Sequence, residues 1–123
     1  MIFDTLLDIL EDTFAGITPE PGSDLSEMSF RHEWFDLHIS VTDIAVRITG
    51  ITCWRKRAGI GTIIIDSLTN ISAEAELIPI AVDVSPDEAA EEFWESLGFQ
   101  PLEDGSRNWI HGRALSQYNS LFY

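Results

Sequence analysis

The sequence predicts an α/β domain with a mixed (α+β) sheet: an N-terminal helix, a three-strand antiparallel meander, one βαβ unit, a further helix and a C-terminal hairpin. Three observations carry this. Apolar residues alternate with polar ones from Met28 to Cys53, which is strand periodicity. Ile60, Ile64, Leu68 and Ile71 then share one helical face, and the apolar run 77–84 has the length and Ile/Val content of a buried parallel strand. Finally, Ser85-Pro86-Asp87-Glu88 opens a helix that Gly98 closes. At 123 residues the chain is expected to form a single domain, 1–123.

The first element lies in a helical segment, 1–16. Phe3, Leu6, Leu7, Leu10 and Phe14 recur at helical spacing with Asp4, Asp8, Glu11 and Asp12 between them, so residues 2–14 form an amphipathic helix. Gly16 and Pro19 end it, and Pro, Gly and Ser make 17–25 a loop. Segment 26–54 holds the antiparallel strands. Met28, Phe30, His32 and Trp34 alternate with Ser29, Arg31 and Glu33, and Leu37, Ile39 and Val41 continue the pattern. Polar breaks fall near Asp36 and at Thr42-Asp43, and His32 and His38 read as sheet residues. In the third strand Ile44, Val46 and Ile48 occupy even positions, whereas Ile51 and Cys53 occupy odd ones. The phase slips at Gly50. Either a β-bulge bends the strand there, or the strand ends near Gly50 and 51–54 lead into a loop.

Segment 55–84 is the βαβ unit, with a helix from about Gly61 to Ser72, a connection at 73–76 and Pro79 near the start of the strand. In segment 85–112 Ser85 is the expected cap, Pro86 the first helical residue and Glu88 the closing member of a capping box. Ala90, Phe93, Trp94 and Leu97 form the inner face of this helix. Phe99 begins a strand that turns through Glu103-Asp104-Gly105 into Asn108-Trp109-Ile110. The tail, 113–123, carries no clear pattern.

Composition narrows the function. A formal net charge of -14 disfavours nucleic-acid and anionic-membrane binding, both of which need a basic surface. No apolar stretch approaches the ~20 residues that span a bilayer, and Met1 leads into an acidic segment, so a cytoplasmic location is expected. The single Cys53 removes any internal disulfide and any multi-cysteine metal site, and the three histidines lack ligand spacing, so no metal is implied.

Against this acidity, three of the seven cationic side chains stand together in Arg55-Lys56-Arg57-Ala58-Gly59-Ile60-Gly61. A helix N-terminus offers free N–H groups and partial positive charge, and glycines let a ligand approach the backbone. The cluster therefore reads as an attractor for an anion, most simply a phosphate ester. The plain alternative is a strand-to-helix turn with solvated arginines beside it.

Two motifs, in this order, resemble the GCN5-related N-acetyltransferase (GNAT) superfamily. Lys56-Arg57-Ala58-Gly59-Ile60-Gly61 is similar to the family's Arg/Gln-x-x-Gly-x-Gly/Ala loop, whose amides hold the pyrophosphate of coenzyme A. Asp87-Glu88-Ala89-Ala90-Glu91-Glu92-Phe93-Trp94-Glu95-Ser96-Leu97-Gly98-Phe99 resembles the segment Asn-x-x-Ala-x-x-Leu/Phe-Tyr-x-x-x-Gly-Phe. The likeness covers roughly residues 43–110. It implies a GNAT-like acyl-CoA N-acyltransferase fold and acetyl-CoA as co-substrate. Cofactor contacts are then expected from Ile51, Thr52 and Cys53, from Lys56, Arg57, Ala58, Gly59, Ile60, Gly61 and Thr62, and from Asp87 and Trp94. The family's splayed strands would place 81–84 opposite Ile51–Cys53 and explain the slip at Gly50.

Three departures stand out. Lys56 replaces Arg or Gln and keeps the charge without guanidinium geometry. Asp87 replaces the Asn that often contacts the cofactor arm. Trp94 replaces the tyrosine that commonly protonates the departing thiolate, and an indole N–H is a donor only. Tyr118 and Tyr123 are the candidate substitutes. For a general base, Glu33, His38 and Asp43 are candidates, each also explained as an outward-facing polar residue of the sheet. The expected acceptor is a small-molecule or protein amine, cationic to suit the acidity, such as a polyamine, an aminoglycoside or a lysine. The family opens with a strand and two helices where this chain has one helix, so the acceptor pocket is expected to be open, abbreviated or completed by a second copy in a homodimer. The alternative function is a catalytically idle GNAT-like module that binds a protein partner, its acidic surface serving as a charge decoy.

Overall fold

The structure is a computed structural model that describes residues 2–54 and 59–122. Its elements are α1 (Ile2–Thr13), β1 (Thr18–Pro21), β2 (Glu27–His32), β3 (Phe35–Val41), β4 (Ala45–Cys53), α2 (Ile60–Glu74), β5 (Ile78–Ala81), α3 (Glu88–Ser96), β6 (Phe99–Pro101), β7 (Trp109–His111), a 3-10 turn (Gly112–Ala114) and α4 (Leu115–Phe122). The strands form one sheet in the order β1-β2-β3-β4-β5-β7-β6. Among the described residues only the β4–β5 pair is parallel, and α2 makes the crossover between its strands. The mixed α/β sheet, the meander, the βαβ unit and the terminal hairpin are all present.

Phe30, Phe35, Leu37, Ile39, Val46 and Ile48 line one face of the sheet, and Leu6 and Leu10 of α1 with Ile64, Ile65 and Leu68 of α2 complete the main core there. A smaller cluster of Ala45, Ile78, Ile110 and Ala114 joins Leu115 and Tyr118 of α4 to β4, β5 and β7. Among the described residues no helix is long and apolar enough to cross a membrane.

Two expectations are corrected, and the tail, left open by the sequence, is described. The loop at 17–25 contains a strand, because Thr18–Pro21 pairs antiparallel with β2. Its four residues are exposed and two are proline, so no alternation announces it. Gly22 N–H donates to the Glu27 carbonyl at 3.0 Å, and ladder alternation then turns the nitrogens of Pro19 and Pro21 to the open edge, where proline is tolerated. Next, Trp34 is not a strand residue: β2 stops at His32, and Glu33 and Trp34 form the turn into β3. The tail is also structured, as Gly112–Ala114 and α4 pack on the smaller cluster with Ala114 buried.

Two smaller boundaries move for clear reasons. α3 starts at Glu88, because the Asp87 carboxylate accepts from the Ala90 N–H at 2.8 Å and is the cap in place of Ser85. β5 stops at Ala81 rather than 84, while Pro79 sits inside it. Ile78 and Val82 donate to the Ile44 and Ile48 carbonyls of β4, so the Pro79 nitrogen faces the other neighbour, β7, whose pairing begins only at Ile80. No ladder hydrogen bond is lost.

Candidate functional site

The phase slip at Gly50 is a β-bulge. His38 pairs with Gly50, but Ile39 pairs with Ile48, so Thr49 is the extra residue, and its hydroxyl donates to the His38 carbonyl at 3.1 Å. The strand continues to Cys53 instead of ending. One inserted residue keeps Val46, Ile48, Ile51 and Cys53 on the same face, opposite Val41, Ile39, Leu37 and Phe35.

Hydrogen-bonding parity follows from the same insertion. Trp54 N–H donates to the Trp34 carbonyl at 2.9 Å. In an antiparallel ladder the bonded positions alternate, so Thr52 also faces β3, whereas the peptide groups of Ile51 and Cys53 turn toward the β5 side. β5 is no longer there. Val82 still donates to the Ile48 carbonyl at 2.9 Å, but Asp83 adopts φ 51, its N–H donates to Asn108 Oδ1 at 3.2 Å, and Val84 N–H donates to the Arg107 carbonyl at 2.9 Å. These bonds draw the chain toward the β6–β7 loop. The bulge on one strand and the left-handed residue on the other open a cleft of about 650 Å³ between them.

The walls of the cleft are Ile48 to Ile51 and Cys53 on one side and Val82 to Ser85 on the other, with Ala89, Ala90, Phe93 and Trp94 of α3 and Gly59 to Thr62 at the start of α2. Gly59 caps α2 at φ 69 with no side-chain hydrogen bond, and the first turn holds no acidic residue. Ile63 N–H donates back to the Gly59 carbonyl at 3.0 Å, so the N–H groups of Ile60, Gly61 and Thr62 have no acceptor within the helix. A helix N-terminus with no acidic residue in its first turn to offset its dipole thus ends on an apolar cleft.

Most expected cofactor contacts come together here: Ile51, Cys53, Gly59, Ile60, Gly61, Thr62 and Trp94 all line the cleft. Lys56, Arg57 and Ala58 lie outside the described residues. Thr52 points to the other face, and Asp87, exposed, spends its carboxylate on the α3 cap. Trp94 is 7% exposed and packs edge-on against Phe93 and Phe99, so it is a core aromatic that also borders the cleft. Burial raises the Cys53 thiol above its ordinary value, leaving it a weak nucleophile. The motif comparison passed over Phe93, although it stands one residue before Trp94. Thr49, Gly50 and Ser85 were also missed as lining residues, because the phase slip at Gly50 marks a bulge without showing that it borders a cleft, and Ser85 reads locally as a helix cap.

The three candidate bases separate along β4. Glu33 is exposed in the turn beside Trp54, past the end of the strand, and Asp43 is exposed in the turn before Ala45. His38 stands between them, directly opposite Gly50 at the bulge. Tyr118 packs on the smaller cluster and does not line the cleft, and Tyr123 lies outside the described residues. Among the described residues no group of three or more His, Cys, Asp or Glu is arranged to hold a metal.

No protein-family model matches the sequence, and no curated protein does. Two solved structures share its architecture. The anti-CRISPR protein AcrVA5 superposes with a TM-score of 0.60 at 22% identity, over 70% of this chain and 98% of that one. Ard1 from Thermoplasma volcanium superposes with a TM-score of 0.51 at 16% identity, over 69% of this chain and 66% of its own length. At such identities the likeness speaks to fold alone, and with the splayed β4 and β5, the bulge and the glycine-capped α2 it shows that this chain has a GNAT-like mixed α/β fold.

Proposed function

We propose that this protein binds acetyl-CoA or a related acyl-CoA in the β4–β5 cleft and transfers the acyl group to an amine. One observation carries the reading: the peptide groups of Ile51 and Cys53, beyond the point where β5 leaves β4, face an apolar cleft that ends on the N-terminus of α2. An extended pantetheine arm needs backbone partners along a narrow apolar slot, and a pyrophosphate needs several N–H donors in a positive field. The cluster of Arg55, Lys56 and Arg57 precedes that helix in sequence and adds charge of the right sign. A neutral amine would attack the thioester carbonyl while the cleft fixes both reactants and β4 peptide dipoles favour the developing oxyanion. The net charge of -14 supports a cationic acceptor, such as a polyamine, an aminoglycoside or a lysine side chain.

Calorimetric titration with acetyl-CoA tests the reading, with Thr62→Glu as the variant. Thr62 is exposed in the first turn of α2 and its side chain fills no core space. A carboxylate there stabilises the helix by about 0.3–1 kcal/mol through the dipole while opposing a bound phosphate. Binding about tenfold weaker in a variant that melts no lower is the expected result; equal binding by both proteins would remove the α2 N-terminus from the site.

A second reading is favoured by Trp94 and Asp87. Trp94 carries no ionisable hydroxyl, and the Asp87 side chain is committed to a cap, so two positions associated with turnover and cofactor contact in this fold are altered. A module that binds a protein partner without catalysis would keep the cleft and show no acyl transfer at saturating acetyl-CoA.

A further inference from the structure

One row of residues crosses the sheet and ends at the cleft. Glu20, Ser29, His38 and Gly50 are consecutive cross-strand partners on β1, β2, β3 and β4. They lie on the face opposite Phe30, Leu37 and Ile48, away from the core packed by α1 and α2. Ser29 Oγ and His38 Nδ1 are 2.6 Å apart. At the other edge of the ring, a Cβ on Gly50 would come within 3.2 Å of His38 Cδ2, so the absence of a side chain at Gly50 is what lets the imidazole lie over the bulge. Cδ2 is bonded to Nε2. The ring edge at Cδ2 thus lies over Gly50, which with Ile51 borders the cleft, and His38 stands one strand back from the lining.

From this geometry we infer that His38, oriented by Ser29, is the proton acceptor for the incoming amine at the β4 bulge. The role rests on the acyl-CoA reading of the cleft. Strand spacing decides which member of the pair acts: β2 lies about 10 Å from β4, so the Ser29 hydroxyl is out of reach of the cleft, whereas the ring spans one strand interval. With Nδ1–H donating to Ser29 Oγ, the Nε2 lone pair is free to accept. The amine arrives as an ammonium ion and gives one proton to Nε2. Its nitrogen lone pair then bonds the thioester carbon, the C–S bond breaks with its electron pair on sulfur, and a second nitrogen proton passes through water to the thiolate. The third stays on the amide, and His38 returns its proton to solvent across the open face. The charged residues on the same face of the sheet are Glu20, Glu27, Arg31, Asp36 and Arg47, and Asp83 lines the far wall of the cleft. Arg31 holds Glu20 at 2.8 Å and approaches Asp36 at 4.0 Å.

The test compares wild type with His38→Gln, Ser29→Ala, Gly50→Ala and, as a control on the same face, Ser40→Ala. Thiol release from acetyl-CoA is followed with spermidine, kanamycin or a lysine peptide as the probe amine, across pH. His38→Gln is expected to lower kcat about 100-fold or more while leaving the calorimetric Kd for acetyl-CoA unchanged and abolishing the acid limb of the pH–rate profile. Ser29→Ala and Gly50→Ala lower kcat by misorienting or displacing the ring, and Ser40→Ala keeps the wild-type rate. The inference is overturned if His38→Gln retains kcat within about threefold with the acid limb intact, or if wild type that binds acetyl-CoA acylates none of the three amines. Absence of acetyl-CoA binding by wild type would instead overturn the reading of the cleft, so the two failures are distinguishable. If His38→Gln does not fold, Ser29→Ala and Gly50→Ala decide, and wild-type kcat in both overturns the assignment.

Discussion

A Cβ on Gly59 would meet nothing within 4 Å, yet the residue sits at φ 69; a Cβ on Gly61 would meet Phe93 at 3.0 Å. The first glycine is required by backbone conformation and the second by the contact of α2 with α3. Their sequence pattern suggests one shared purpose, ligand approach, and the structure divides it into two. Gly61→Ala is expected to cost about 1–3 kcal/mol by overpacking, and much of that should return when Phe93 is also cut to Leu. Gly59→Ala should cost about 1–2 kcal/mol through left-handed strain, and Gly59→Asn less. Urea unfolding of the single and double variants measures both. A glutamate at Gly61 would confuse packing with binding, which is why Thr62→Glu is the cleaner probe. The helix cap makes a similar distinction. The string Ser85-Pro86-Asp87-Glu88 offers two caps, and local pattern favoured Ser85, but the chain from Asp83 to Val84 is pulled to Asn108 and Arg107 and the helix begins two residues later. Asp87→Ala should therefore lose about 1 kcal/mol and Ser85→Ala almost nothing, a difference that thermal melts resolve.

The bulge is the element that relates sequence to site most directly. The change from even to odd apolar positions was legible because periodicity in a half-buried strand reports its face, and an inserted Thr49 is the least change that keeps Ile48 and Ile51 together. β1 and α4 were not legible. β1 buries none of its four residues, and among the described side chains α4 contributes only Leu115 and Tyr118 to a small cluster, so neither imposes a strong pattern on its own sequence. Tertiary pairing makes them. The junction between β7, the 3-10 turn and α3 also depends on a contact no local pattern announces. His111 Nδ1 accepts from Arg113 N–H at 3.2 Å, the ring packs edge-on against Phe99, and Gly98 lacks the side chain that would strike its Nε2 at 3.1 Å. Burial, helped by the nearby Arg113 charge, lowers the His111 pKa below its ordinary value of 6.5. The unfolded chain then binds more protons than the native one just below that value. This contribution is fully present above pH about 6.5 and is lost as pH falls toward the depressed native value. Denaturant midpoints at pH 8 and pH 5.5 should thus differ more for wild type than for His111→Gln; an equal pH dependence would show that the ring titrates without sensing the fold.

For the whole molecule, the meander and the parallel β4–β5 pair were legible in the sequence, since strand, glycine turn, helix and parallel strand leave few ways to close a right-handed crossover, whereas the edge strand β1 and the placement of β7 between β5 and β6 were not. The resemblance in two motifs supplied what periodicity lacks, the expectation that β4 and β5 separate, and the structure shows the bonds that separate them: Asp83 and Val84 to the β6–β7 loop. Charge acts at this scale too. A net charge of -14 would repel a polyanionic cofactor at long range, so under the proposed function the α2 N-terminus and the cationic triplet before it in sequence are what must offset that field locally. Added salt should accordingly weaken acetyl-CoA binding less than it would in a protein whose whole surface is basic.

The most direct measurement is isothermal titration of the wild-type protein with acetyl-CoA at moderate salt, with desulfo-CoA and dephospho-CoA as comparison ligands and Thr62→Glu as the variant. Saturable one-to-one binding that weakens about tenfold in Thr62→Glu is the expected result. No heat at millimolar acetyl-CoA would contradict the account, leaving a GNAT-like fold whose cleft serves something else.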